Sequence, residues 1–227
     1  MKIGILQTGH APDEMLATSG DVASYFERML TGFGFTFVTY SVVDMEFPQD
    51  IHDCDGWIIT GSKHGAYEDH PFIPPLEQLI RDVYASDVPL VGICFGHQII
   101  AQALGGKVEK FQNGWAVGRT IYDWNGDDVA LNAWHQDQVT ELPADATVYA
   151  SNEFCAYAAL VYGEKVFTTQ PHPEYGADFI GGLVDYRGKG VIPDDLLAQA
   201  RDGLEKPDDN PRIAAQIARF FKERTLA

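Results

Sequence analysis

Val88-Pro89-Leu90-Val91-Gly92-Ile93-Cys94-Phe95-Gly96-His97-Gln98-Ile99-Ile100-Ala101-Gln102-Ala103-Leu104-Gly105-Gly106 runs for 19 residues without a charge. That is close to the length that crosses a bilayer. Pro89, four glycines, His97, Gln98 and Gln102 interrupt it, however, and polar groups in hydrocarbon are costly. The stretch therefore reads as a buried strand over Pro89–Ile93, a tight turn, and a buried helix over His97–Leu104 that Gly105-Gly106 stops. A short, wholly apolar strand leading into a helix is what a sheet covered on both faces requires.

Working outward, the same alternation recurs. Lys2–Gln7 reads as a first strand, and Asp21–Leu30 as a helix whose apolar face holds Val22, Tyr25, Phe26, Met29 and Leu30. Phe35–Val43 is β-branched and aromatic, hence a strand, and Gly56–Thr60 is a short buried one. Pro74–Tyr84 reads as a helix with proline in its first turn. From Lys107 to Tyr162 the strands crowd together around turn signals such as Asn125-Gly126-Asp127-Asp128, which points to an antiparallel section. Val166–Gln170 returns to a strand, and helical segments follow near 176–186, 194–203 and 211–224. The expected fold is α/β: a mostly parallel, doubly wound, flavodoxin-like sheet with helices on both faces and a small antiparallel section. No linker divides the chain, so a single domain over 1–227 is expected, with 176–227 as a helical C-terminal extension.

Composition narrows the partners. Among 227 residues, 16 Lys and Arg oppose 33 Asp and Glu for a net charge of −17, with no basic run to hold a polyanion. Nucleic acid and anionic membranes are therefore excluded as expected partners. The N-terminal apolar run is too short for a secretory signal. Cys54, Cys94 and Cys155 form no C-x-x-C pair and are odd in number, so neither a disulfide framework nor a zinc site is read from them. A reducing, cytoplasmic setting is expected. Oligomeric state is not legible, and a homodimer is only a default expectation.

The chemistry lies in the turn. Gly92-Ile93-Cys94-Phe95-Gly96 is G-x-C-x-G between strand and helix, the cysteine form of the nucleophile elbow. Its glycines let neighbouring backbones approach closely, and the helix start favours thiolate over thiol. The backbone N–H of Phe95 is placed to donate to an oxyanion. A thiolate needs a base or ion-pair partner, which in turn needs an orienting carboxylate. His172 supplies the first, in Gln170-Pro171-His172-Pro173-Glu174. Flanking prolines favour extended backbone, and residues two apart in extended chain share a face, so Glu174 joins His172. Cys54, in a polar turn, and Cys155, among apolar residues, lack such a setting and read as inert. His97 reads as structural and His135 as a turn residue. His10, His52, His64 and His70 lack ligand-like spacing, so neither metal nor cofactor is expected.

Taken together, G-I-C-F-G-H-Q and, some 75 residues later, P-H-P-E resemble the class I glutamine amidotransferases with a Cys-His-Glu triad, most closely the glutaminase domain of GMP synthetase. The likeness runs from the first strand to Glu174. It implies that the loop at Gly61 supplies a second oxyanion N–H and that Ser62 beside it faces the substrate. It also implies that Gln98, Gln136 and Asp137 hold the amino-acid head of glutamine. Only 53 residues follow Glu174, and no P-loop is present, so an ammonia-consuming synthetase would be a separate polypeptide. Three functions remain in play. One is a glutaminase feeding such a partner, one a stand-alone γ-glutamyl peptidase using water, and one a non-catalytic binding protein of the same fold.

Overall fold

The computed structural model describes residues 1–226. Its main sheet has nine strands in the order β2-β1-β3-β4-β11-β10-β9-β6-β7. The first five are β2 (Thr36–Tyr40), β1 (Lys2–Leu6), β3 (Gly56–Ile59), β4 (Leu90–Ile93) and β11 (Val166–Thr169), and they pair in parallel. Their order is the flavodoxin type, in which ligands bind beyond the carboxyl ends of the strands. The antiparallel section continues the same sheet through β10 (Ala159–Tyr162), β9 (Thr147–Ser151), β6 (Ala116–Trp124) and β7 (Asp127–His135). β5 (Lys107–Lys110) and β8 (Asp137–Glu141) form a separate two-stranded ribbon.

Helices cover both faces of the parallel strands, whose central members are shielded from water on each side. β3, β4 and β11 are buried at every position. On one face α2 (Val22–Met29) and α7 (Asn210–Glu223) pack Phe26, Ile213, Ile217 and Phe221 against Ile3, Ile5, Ile58, Val91 and Phe167. On the other, α3 (Ile73–Ala85) and α4 (Phe95–Ala103) pack Leu76, Ile80, Ile99 and Ile100 against Leu6, Trp57, Ile59 and Leu90. Each such aliphatic side chain contributes about 1.5–3 kcal/mol by leaving water. A third cluster joins α5 (Ala177–Leu183), a π-helical turn over Val184–Gly188 and α6 (Asp194–Gly203) to Met15, Tyr25 and Tyr175.

The chain departs from the sequence expectations at its edges. Asp13–Ser19 forms a helix, α1, that the apolar periodicity did not signal. The strand expected over 35–43 stops at Tyr40, and Val42–Asp44 turns as a 3₁₀ segment. Cys54, read in a polar turn, is buried: its sulfur lies 3.0 Å from where a Cβ on Gly4 would stand. Neighbouring Asp53 and Asp55 are what made the segment look polar. Among the described residues, no helix is long and apolar enough to cross a membrane. Finally, β7 does not end the sheet with a free row of peptide groups. His172 N–H donates to Asn132 O at 2.8 Å, and Ala130 exchanges bonds with Asp209 through both its N–H and its carbonyl.

Candidate active site

The elbow forms because its glycines are sterically obligatory. A Cβ on Gly92 would stand 2.6 Å from the Gly96 backbone, and one on Gly96 would stand 2.3 Å from the Ile59 carbonyl. Between them Cys94 is held at φ 54° and ψ −104°, a left-handed backbone that costs a non-glycine residue about 1–3 kcal/mol. Hydrogen bonds from Cys94 N–H to Thr169 O at 2.8 Å and from Gly96 N–H to Thr60 O at 3.1 Å hold the strain in place. Cys94 thus sits between the ends of β3, β4 and β11 at the start of α4, with Phe95 as the first helical residue.

His172 arrives from the other side, three residues beyond β11. Its Nδ1 lies 2.7 Å from Glu174 Oε1, and both side chains are almost fully buried. With Nδ1 so engaged, the ring's other nitrogen is left for Cys94, whose sulfur lies close enough to favour a protonated ring. Burial opposes a charge on His172, yet the Glu174 carboxylate and the Cys94 sulfur outweigh it and hold the ring's pKa at about 10. The imidazole plane is fixed further by Tyr175, which stacks on it with centroids 3.8 Å apart and planes 6° from parallel. Gly61 closes the cleft opposite: a Cβ there would lie 3.0 Å from His172 Cε1 and 3.6 Å from Cys94 Cβ. A side chain there would press on the imidazole, which would have to give by a few tenths of an ångström.

A cavity of about 380 Å³ opens over Cys94 and His172, and Gly61, Ser62, Gln98, Gln136 and Asp137 line it too. Of the site residues expected from sequence, Phe95 and Glu174 are buried and do not line this cavity. The other expected residues are partly committed to the protein itself. Gln98 Nε2 donates to Asp137 O at 2.8 Å and to Gln170 Oε1 at 3.0 Å, which leaves its own oxygen for a ligand. Ser62 Oγ donates to Thr8 O at 2.7 Å and accepts from His64 N–H, so it shapes the loop. Gln136 Nε2 reaches Phe111 O at 3.3 Å. Burial raises the pKa of the Asp137 carboxyl, although a hydrogen bond from the Tyr67 hydroxyl opposes that shift.

The remaining histidines divide by burial. His97 is buried with Nδ1 2.8 Å from Thr168 Oγ1, and burial followed by the nearby His135 depresses its pKa to about 3. His135 ends β7 and lines the cavity, where burial and then the charge on His172 depress it to about 3 as well. It is a neutral group facing the cavity, more than the turn residue its sequence suggested. Tyr175 is the other contributor that sequence reasoning passed over, although it directly follows Glu174. His64 and His70 also behave differently from their spacing. The 61–72 loop folds them around Glu68, with ring centroids 4.1 Å apart.

The family model described as glutamine amidotransferase class-I matches residues 21–178. The chain belongs to the class I glutamine amidotransferase family. Gamma-glutamyl peptidase 4 of Arabidopsis thaliana is 29% identical over 94% of this chain and 92% of its own length. A glutamine-hydrolysing GMP synthase of Staphylococcus saprophyticus is 32% identical over 57% of this chain, but over only 27% of its own length. A glutamine amidotransferase crystal structure from Methylobacillus flagellatus shares the fold with a TM-score of 0.75 at 24% identity, covering 99% of this chain and 92% of that one. Family membership and relatives of hydrolase type mark this amidotransferase-family chain as an enzyme. The matched span stops at residue 178, yet Phe179, Leu183, Arg187, Val191 and Ile192 beyond it form one wall of the cavity.

Proposed function

We propose that this single-domain chain cleaves the γ-amide of glutamine or of a γ-glutamyl compound through a thioester on Cys94. What carries the reading is His172, buried between the Glu174 carboxylate at 2.7 Å and the Cys94 sulfur. The amide enters over Cys94, and the thiolate, paired with protonated His172, attacks the carbonyl carbon. The C–S bond forms as the carbonyl π pair moves onto oxygen, where N–H groups of Phe95 and Gly61 receive it. Each such donor is worth roughly 3 kcal/mol. Collapse expels ammonia or an amine, which takes the His172 proton. The neutral imidazole then removes a proton from water, hydroxide adds to the thioester, and glutamate leaves as the thiolate returns. Glu174 orients the ring and stabilises its charged form throughout. Gln98, Gln136, Asp137 and Ser62 hold the substrate's α-amino and carboxylate groups. A covalent glutamine-analogue electrophile should label the native chain at Cys94 and leave Cys94→Ser unlabelled.

The distal wall favours the peptidase form of this chemistry. Ammonia as a leaving group needs no apolar surface, whereas Phe179, Leu183, Val191 and Ile192 present one. Val191 is the exposed member of that wall, at 61%, while Phe179, Leu183 and Ile192 are buried behind it. Arg187 stands beside them and, among the described residues, has no carboxylate partner; it donates to His10 O at 2.9 Å. An amine with an apolar body and a carboxylate fits that wall. The alternative role is delivery of ammonia to a synthetase on another polypeptide. The two separate in one panel: ammonia from glutamine against amino acid from γ-glutamyl-phenylalanine, with Cys94→Ser as the blank. A higher kcat/KM on the dipeptide supports the peptidase, and a preference for glutamine supports ammonia delivery.

A further inference from the structure

Outside the triad, the 61–72 loop between β3 and α3 gathers three metal-ligating side chains at one point. His64 Nδ1 lies 3.9 Å from Glu68 Oε2, and His70 Nε2 lies 2.8 Å from that same oxygen. All three ligand atoms fall within 4.8 Å of one another. The four-coordinate geometry of a zinc-class ion, with bonds of about 2.0–2.2 Å, sets its ligand atoms roughly 3.3–3.6 Å apart. The observed separations bracket that value, so small side-chain rotations suffice. The scaffold beneath is firm: His70 stacks on Phe72 with planes 19° apart, and Phe72 is buried against Phe95.

We propose that His64, Glu68 and His70 bind one divalent ion of the zinc class, with a remaining coordination position open toward the catalytic cavity. Two imidazoles and one carboxylate are the donor set of Zn²⁺, Ni²⁺ or Co²⁺, whereas Mg²⁺ and Ca²⁺ require oxygen shells. His64 and Glu68 line the same cavity as Cys94, so the open position faces the substrate's space. The other histidine–carboxylate group near the cavity cannot do this. His10 spends its two ring nitrogens on Asp21 and Asp44 in different directions, at 2.7 and 3.0 Å. An ion at His64, Glu68 and His70 would tie together the loop that begins with Gly61 against His172 and carries Tyr67 to Asp137. The site is thus a staple on the cavity rim, and it stands independently of the thioester chemistry.

The test uses the full chain carrying Cys94→Ser, which removes the thiolate as a competing metal ligand, after chelator treatment. Titration with Co²⁺ should give one equivalent of visible d–d absorption of four- or five-coordinate intensity, without a sulfur charge-transfer band. Zn²⁺ should displace it stoichiometrically and raise the melting temperature. His64→Gln with His70→Gln should weaken Zn²⁺ binding by more than about 100-fold, beyond what altered outer-shell groups cost. Glu68→Gln, which keeps the loop's shape, should weaken it by a smaller factor and leave unfolding cooperative. Three results would overturn the proposal: no saturable binding below millimolar Zn²⁺, affinity unaltered in the double variant, or the weak pink spectrum of an octahedral, all-oxygen Co²⁺ site.

Discussion

Two histidine–carboxylate pairs stand at the same 2.7 Å in this protein, His172–Glu174 and His10–Asp21. Both lie near the same cavity, and in both the carboxylate favours a protonated ring. They differ in what surrounds them. His172 and Glu174 are 2% and 0% exposed, and a thiol waits at the second nitrogen. His10 is 45% exposed, and another carboxylate, Asp44, takes that nitrogen. In water-poor surroundings the same charge separation is felt several times more strongly than at the surface. Distance alone therefore does not single out the pair proposed as catalytic; exclusion of water and a thiol as third partner do.

The most severe test of that contrast removes the third partner. Cys94→Ala should lower kcat/KM on the preferred γ-glutamyl substrate by more than about 10⁴-fold. Activity within tenfold of the parent chain would end the thioester reading. Next in size, Glu174→Gln keeps the shape but loses the buried charge, and about 10²–10⁴-fold in kcat is expected, measured across a pH series. Its alkaline limb should also move to lower pH, because the carboxylate no longer holds the proton on His172.

Smaller effects follow from pH on the intact chain. The folded pKa of His172, about 10, lies above the unfolded value near 6.5. Its contribution to stability is whole below pH 6.5 and is lost as pH rises toward 10, whereas kcat/KM falls only as pH approaches 10 and the folded ring itself loses its proton. His97 and His135, held to about 3, act in the opposite sense. Below pH 6.5 the unfolded chain accepts protons that they refuse, so stability falls again toward acid. Denaturant midpoints measured from pH 5 to 10 should therefore pass through a maximum; a monotonic trend would count against these buried charge states. The smallest change is expected from His10→Gln. It should cost at most about 1 kcal/mol, fade in high salt, and alter kcat/KM by less than about fivefold. A larger loss would bring His10 into the catalytic group and dissolve the contrast.

Much of this was legible before folding, for reasons that can be named. The elbow is local: Gly92 and Gly96 flank Cys94 because backbones meet there, and that need is written in adjacent letters. His172 and Glu174 are two apart in proline-flanked chain, so their shared face follows from extended geometry. The class I family likeness rested on those same letters, and the family match bears it out. What stayed hidden depends on how loops close. Tyr175 stacks on His172 only because the chain turns back after Glu174. His64, Glu68 and His70 meet only because their loop folds on itself. The burial of Cys54 depends on Gly4 in a strand fifty residues earlier, and the wall of Phe179, Leu183 and Val191 depends on the docking of α5.

The bond from His172 N–H to Asn132 O has one more consequence. An edge strand with bare peptide groups invites a second chain to add to it, the usual start of sheet-to-sheet aggregation. Here β7 is denied to strangers by His172 at one end and by Asp209 further along. The residue proposed to move the proton thus also seals the margin of the sheet. A backbone change that loosened the 170–174 loop would therefore threaten solubility along with activity, and the two losses would be expected to arrive together.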